Sequence, residues 1–220
     1  MKTILALAAL ALAVTSGAVG AQDLDLLLAH KIRISGKDGM TVTSEFSERF
    51  VRRDGQVWFE RVVPAALQQT PHVHAGGATH FNTAGAARWV SADGKKATKL
   101  ALVDRQEQLV VDVDRADYGN VGFTSSWDQA YYLIDPRTLV GMHKKGALTD
   151  GARWYESRRP DGVVQVLWDE GLNYPRQVLT VSSNGLNQKS FLASRTVAAK
   201  DLPWQRTRDY DRKGYNDLMD

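Results

Sequence analysis

Met40-Thr41-Val42-Thr43-Ser44-Glu45-Phe46-Ser47-Glu48-Arg49-Phe50-Val51-Arg52-Arg53-Asp54-Gly55-Gln56-Val57-Trp58-Phe59-Glu60-Arg61-Val62-Val63 reads as a β-hairpin. Met40, Val42, Phe46 and Phe50 fall on one face at the period of two that marks a strand with one buried side. Asp54-Gly55 supplies the residues that tolerate positive φ in a tight turn. Val57 to Val63 is rich in aromatic and β-branched side chains, which favour strands. Pro64 lacks the N–H that a continuing ladder needs and stops the run.

The same punctuation recurs along the chain. Asp38-Gly39, Asp93-Gly94, Asp161-Gly162 and Asn184-Gly185 each sit between strand-like runs. Ala87 to Val90, Ala97 to Val103 and Gln108 to Val113 form a second meander. Ala152 to Ser157, Val163 to Trp168, Arg176 to Ser182 and Leu186 to Val197 form a third. Three segments break the pattern. Asp23 to His30, with Leu24, Leu26, Leu27 and Leu28, reads as an opening helix. Ser125-Ser126 is placed to cap a helix over Trp127 to Ile134. Asp135-Pro136 reads as an N-cap followed by proline at the first helical position, with Lys144-Lys145-Gly146 as its basic end.

The expected fold is α+β and mostly antiparallel, a curved meander sheet (half-barrel) with a helical insertion. Long twisted meanders tend to curl, and the helices are the available cover for the concave face. The tail beyond about residue 200 is polar but carries Trp204, Tyr210 and Tyr215, so it is expected to dock.

Val166-Leu167-Trp168-Asp169-Glu170-Gly171-Leu172-Asn173-Tyr174-Pro175-Arg176 is similar to a strand–turn–strand near the second meander of the periplasmic lipoprotein-carrier half-barrels and related envelope-stress regulators. Gly55-Gln56-Val57-Trp58-Phe59-Glu60-Arg61, after its hairpin turn, resembles them too. The element order extends the resemblance over most of the chain. It implies a protein that binds acyl chains or lipoproteins on its concave face and uses no cofactor.

The first 21 residues read as a secretory signal. Lys2 precedes an apolar run from Ile4 to Val14, and Val19 and Ala21 suit cleavage before Gln22. That run is shorter than the roughly 20 apolar residues a bilayer span requires. Residues 22–220 are then expected to form a single periplasmic domain. The 220-residue chain has a formal charge of +3 and no cysteine. Its cations are interspersed with acids, so no nucleic-acid stripe emerges. Without cysteine, thiolate zinc sites, iron–sulfur clusters, covalent c-type haem and a cysteine nucleophile are excluded. An exported chain without disulfides suits a bacterial periplasm.

Chemistry concentrates in Pro71-His72-Val73-His74-Ala75-Gly76-Gly77-Ala78-Thr79-His80. On an extended strand His72 and His74 share a face. If the Gly76-Gly77 reversal sets His80 beside His74 rather than Val73, three imidazoles converge, a donor set suited to zinc or copper. Water, His143, Met142 or a carboxylate would complete it. No acid stands where the His-x-His-x-Asp-His or cupin patterns expect one, so a general base for hydrolysis is missing.

Other groups read more plainly. Asp112, Asp114 and Asp117 lack calcium-loop spacing. Met142-His143 could offer soft ligands to copper or haem, although a polar helix end is the simpler reading. His30 suits a helix C-terminus. Trp58, Trp89, Trp154 and Trp168 lie on strands, either in the core or lining an apolar ligand cleft. Arg52-Arg53 and Arg158-Arg159 sit at hairpin ends as solvated turn charges, with contact to anionic headgroups as the other reading.

The function expected from these features is non-enzymatic. An exported binding or carrier protein presents an apolar concave face to a lipid-like ligand or peptide, with an envelope protein as a further partner. The alternative is periplasmic copper or zinc handling through His72, His74 and His80, and a metal-dependent enzyme is third.

Overall fold

The opening Leu-rich run is a strand, not a helix: β1 spans Leu24–Ser35 in the computed structural model, which describes residues 22–64, 81–83, 85–93, 97–124 and 126–218. Leu24, Leu26 and Leu28 are buried on one face, whereas Leu27 and Ala29 on the other are exposed and Asp25 there is buried in its pair with Arg53. That is the period of two. Leucine and alanine are strong helix formers, so local composition pointed the wrong way. Pairing with neighbours on both sides decides the outcome.

The hairpin forms as expected, with β2 (Thr41–Arg53) joined to β3 (Gln56–Val62). Asp54 and Gly55 both adopt positive φ, 50° and 68°, the turn that matches strand twist. β4 (Ala87–Asp93), β5 (Ala97–Asp104) and β6 (Leu109–Val113) continue the meander outward. β7 (His143–Thr149), β8 (Ala152–Arg159), β9 (Gly162–Asp169), β10 (Tyr174–Ser182) and β11 (Asn187–Arg195) form a second meander that returns inward. A short β12 (Asp211–Gly214) completes one twelve-stranded sheet, in the order β12-β6-β5-β4-β3-β2-β1-β11-β10-β9-β8-β7. Only the β12–β6 pair is parallel. The result is the open, curved antiparallel sheet of a half-barrel.

This order explains the helical insertion. The chain leaves β6 near one edge and must cross a face of the sheet to begin β7 at the other. The crossing, residues 114–142, lies over what we term the inner face. It carries α1 (Trp127–Tyr132), whose first turn is capped by Ser126 Oγ accepting from the Gln129 N–H. Asp135-Pro136 opens only a 3₁₀ segment, Pro136–Gly141, not a helix reaching Lys145. The Thr138 hydroxyl donates to the Asp135 carbonyl at 2.7 Å, a local bond that competes with helix propagation. Lys144, Lys145 and Gly146 belong to β7.

The strand registers assign side chains to faces. Leu24, Leu26, Leu28, Phe50, Val57, Val90, Leu100, Leu102 and Val111 form the inner core, packed against Phe123, Trp127, Ala130 and Tyr131 of the insertion. Beneath the rest of the crossing, Leu139 packs with Tyr155, Val166 and Trp168. On the outer face Val51, Trp58, Ala87, Ala101, Val103 and Val110 are covered by Trp204, with Leu202 and Tyr210 alongside. The tail docks as its aromatic residues suggested.

Arg52 and Arg53 are not the solvated turn charges expected of them. Position 52 continues the inward alternation of Phe50, and its side chain is fully buried. Its guanidinium donates to the carbonyls of Gln22, Tyr131, Leu172 and Asn173 at 3.1, 3.2, 2.7 and 3.1 Å. The rings of Tyr131 and Tyr132 lie 5.0 and 5.6 Å from Cζ. A planar fork of five donors is suited to gathering several acceptors at once. Burial draws its pKa down, opposed by the neighbouring tyrosines. Arg53 pairs with Asp25. Arg158 and Arg159 are exposed.

Candidate ligand-binding face

The insertion does not cover the whole inner face. Past Leu28 and Phe50 the strands run on, and their next inward residues form a cross-strand row. His30 of β1 stands between Phe46 of β2 and Phe191 of β11. All three are half-buried, as are Ile32, one step further along, and Phe59 on β3. Alternation on long strands places them: residues 28, 30 and 32 share a face, as do 46, 48 and 50.

The imidazole of His30 stacks on Phe46, with centroids 4.6 Å apart and planes 11° from parallel. It lies 5.7 Å from Phe191, tilted by 49°. His30 Nε2 is 3.0 Å from Glu48 Oε2, and Glu48 Oε1 accepts from Arg88 at 2.9 Å. Arg88 lies 5.0 Å over the Phe59 ring and Arg61 lies 4.4 Å over Phe46. Burial alone would push the Glu48 carboxyl pKa up. The close contact with His30 and the charge of Arg88 outweigh that and hold it below the ordinary carboxylate value. His30, Glu48 and Arg88 are thus engaged with one another, His30 and Arg61 lie on Phe46 and Arg88 on Phe59, and the half-exposed remainder of these rings, with Phe191 and Ile32, is left to meet a ligand. Such a strip can pack against acyl chains or apolar side chains.

His30 is thus mid-strand and not at a helix end. His143 is exposed on β7, while Met142 packs towards Leu139 and Trp168. Asp112 pairs with Arg212 of β12, and Asp117 accepts from Asn120. Among the described residues no group of three or more His, Asp or Glu is placed to hold a metal. His72, His74 and His80 lie outside the described residues, as does the segment 1–21.

The four tryptophans do not converge. Trp58 and Trp89 face each other across β3 and β4 on the outer side, with Trp58 beneath the tail and Trp89 donating to Gln56 at 2.8 Å. Trp154 pairs with Leu167, outward, and is 36% exposed. Trp168 is buried on the inner side with Tyr155. The strip that the inner face does present was missed because its members sit on β1, β2 and β11, far apart in sequence. Only Phe46 carried a signal, through its place in the alternation of β2.

No protein-family profile matches the chain, and no curated protein matches it. Solved structures do. A LolA superfamily protein from Nitrosomonas europaea is 8% identical, with a TM-score of 0.37 over 86% of this chain and 91% of that one. The likeness is to half-barrels of the LolA type. A domain from Vibrio parahaemolyticus assigned to outer membrane lipoprotein sorting gives 8% identity and a TM-score of 0.34, covering 89% and 92% of the two chains. The MucA/MucB complex of Pseudomonas aeruginosa gives 14% and 0.34, covering 84% of this half-barrel and 55% of the matched chain. At these identities the similarity is one of architecture.

Proposed function

We propose that this half-barrel is an exported, non-enzymatic binding protein of the bacterial envelope that holds a lipid-like ligand or apolar peptide against its inner face. The observation that carries this reading is the half-open row of Phe46, His30 and Phe191, extended by Phe59 and Ile32. The row stays half-exposed, and His30, Glu48 and Arg88 beside it pair with one another. Apolar area withdrawn from water by a ligand would supply the affinity, and no cofactor enters the proposal.

The test is titration of the protein with a fluorescent fatty acid, together with mass spectrometry of lipids and peptides extracted from protein purified from the envelope. Saturable binding weakened by Phe46→Ala and Phe191→Ala supports the proposal. Absence of any bound amphiphile and of saturable probe binding would overturn it.

A further inference from the structure

The β1–β2 hairpin ends in an apolar surface that continues the inner-face alternation past Ile32 and Phe46 to the rim of the sheet. Met40 is 70% exposed, Val42 65% and Ile34 48%. Ile34 and Val42 are direct cross-strand partners, so the three side chains form one patch at the tip. Two further turns lie beside it. Ser35 donates its N–H to the Leu186 carbonyl, and Ser183 donates to that of Asp161. The turns after β1, β10 and β8 therefore form one continuous rim at this end of the sheet.

That rim is rich in uncommitted cations. Arg33, Lys37, Arg159 and Lys189 are all exposed and form no ion pair among the described residues. Lys31 is paired with Glu45 and Arg158 with Glu156. The acids on the rim are Asp38, which accepts from the Met40 N–H within its turn, and Asp161. Cations exceed acids on this rim: Arg33 and Lys37 belong to the hairpin that carries the three apolar side chains, Lys189 follows on β11, and Arg159 lies further along on β8.

We infer that this rim docks the protein on an anionic phospholipid bilayer, with Met40, Val42 and Ile34 entering the interface and Arg33, Lys37, Arg159 and Lys189 meeting headgroup phosphates. An exposed apolar tip on a rim with an excess of cations matches an interface that is negative at its surface and apolar below it. A protein partner would have to offer a matching pocket, and a second copy would bring like charges together. No helix among the described residues is long and apolar enough to cross a membrane, so the contact is peripheral. It goes beyond the ligand reading, and the two fail separately.

The experiment is co-flotation of the full chain with vesicles of phosphatidylethanolamine containing one-third phosphatidylglycerol, and with phosphatidylcholine vesicles. Binding is expected on the anionic vesicles and is expected to weaken with salt. Met40→Ser/Val42→Ser and Lys37→Glu/Arg159→Glu are each expected to weaken it by about tenfold or more. These exposed residues lie outside the core, so thermal melting should stay unchanged in both variants, and fatty-acid binding should stay unchanged in Lys37→Glu/Arg159→Glu. No binding to anionic vesicles, equal binding to phosphatidylcholine, or wild-type affinity in both variants would overturn the inference. So would a concentration-dependent dimer abolished by Met40→Ser/Val42→Ser, which would assign the patch to a second copy.

Discussion

Arg52 Nη2 donates to the Leu172 carbonyl at 2.7 Å, joining residues 120 positions apart in the chain. The same guanidinium holds Gln22 at the start of the sheet, Tyr131 at the end of α1, and Asn173 in the β9–β10 turn. One side chain thereby fixes the insertion, both meanders and the first described residue to each other.

Arg52→Met is expected to destabilise the protein by about 3 kcal/mol or more, because several buried carbonyls lose their donors together. Arg52→Lys should recover little, since a single ammonium cannot reach acceptors spread over a planar fork. Urea unfolding measures both. A lysine variant within about 0.5 kcal/mol of wild type, the scatter of surface substitutions, would show that charge and not the fork matters.

Phe191→Ala should weaken fatty-acid probe binding roughly tenfold, the free energy of leaving about one aromatic contact unmade. Trp154→Ala, on the opposite face of the sheet, should leave it unchanged. Equal losses in the two variants would mean that the probe does not sit on the inner row.

Glu156 accepts from Gln165 and Arg158 at 2.8 Å each. These bonds, with the charges of Arg158 and Lys145, lower its pKa from 4.5 to about 2. A folded-state pKa below the unfolded one gives a stabilisation fully present above pH 4.5 and lost as pH falls towards about 2. Unfolding of Glu156→Gln should accordingly depend less on pH across that window, and carboxyl NMR should report the low titration directly.

Trp204→Ala should cost about 3 kcal/mol through the cavity left over Trp58 and Val51. It should also raise the solvent exposure of Trp58, read as a red shift in fluorescence. Unchanged stability would mean that the tail lies on the outer face without holding it.

How far these features were legible in the sequence follows from their range. The β2–β3 hairpin was readable because Asp54-Gly55 and the alternation around Phe46 are local signals that agree. So were the cap at Ser126 and the docking of Trp204. β1 was misread because leucines at 24, 26, 27 and 28 satisfy both a helical and a strand period, and only pairing with β2 and β11 separates them. Arg52 was misread because arginine beside a turn is usually solvated, and its acceptors come from three distant segments. The His30 row is the meeting of three strands, which no local window contains. The reading of His72, His74 and His80 concerns residues outside those the structure describes.

The first strand lies in the middle of the sheet. Every other neighbouring pair of long strands except β3–β4 is joined by a short turn, whereas β1 meets β11 only after nearly the whole chain has been made. Closing so large a loop carries the greatest entropic cost of any pairing here, and such contacts slow folding. The nine register pairs from Leu26↔Arg195 to Ile34↔Asn187 are therefore a seam that a partly synthesised chain cannot sew. Until β11 arrives, the N-terminal meander has an open edge and lacks Phe191, the far side of its aromatic row. The inner-face row and the fold are completed in one event.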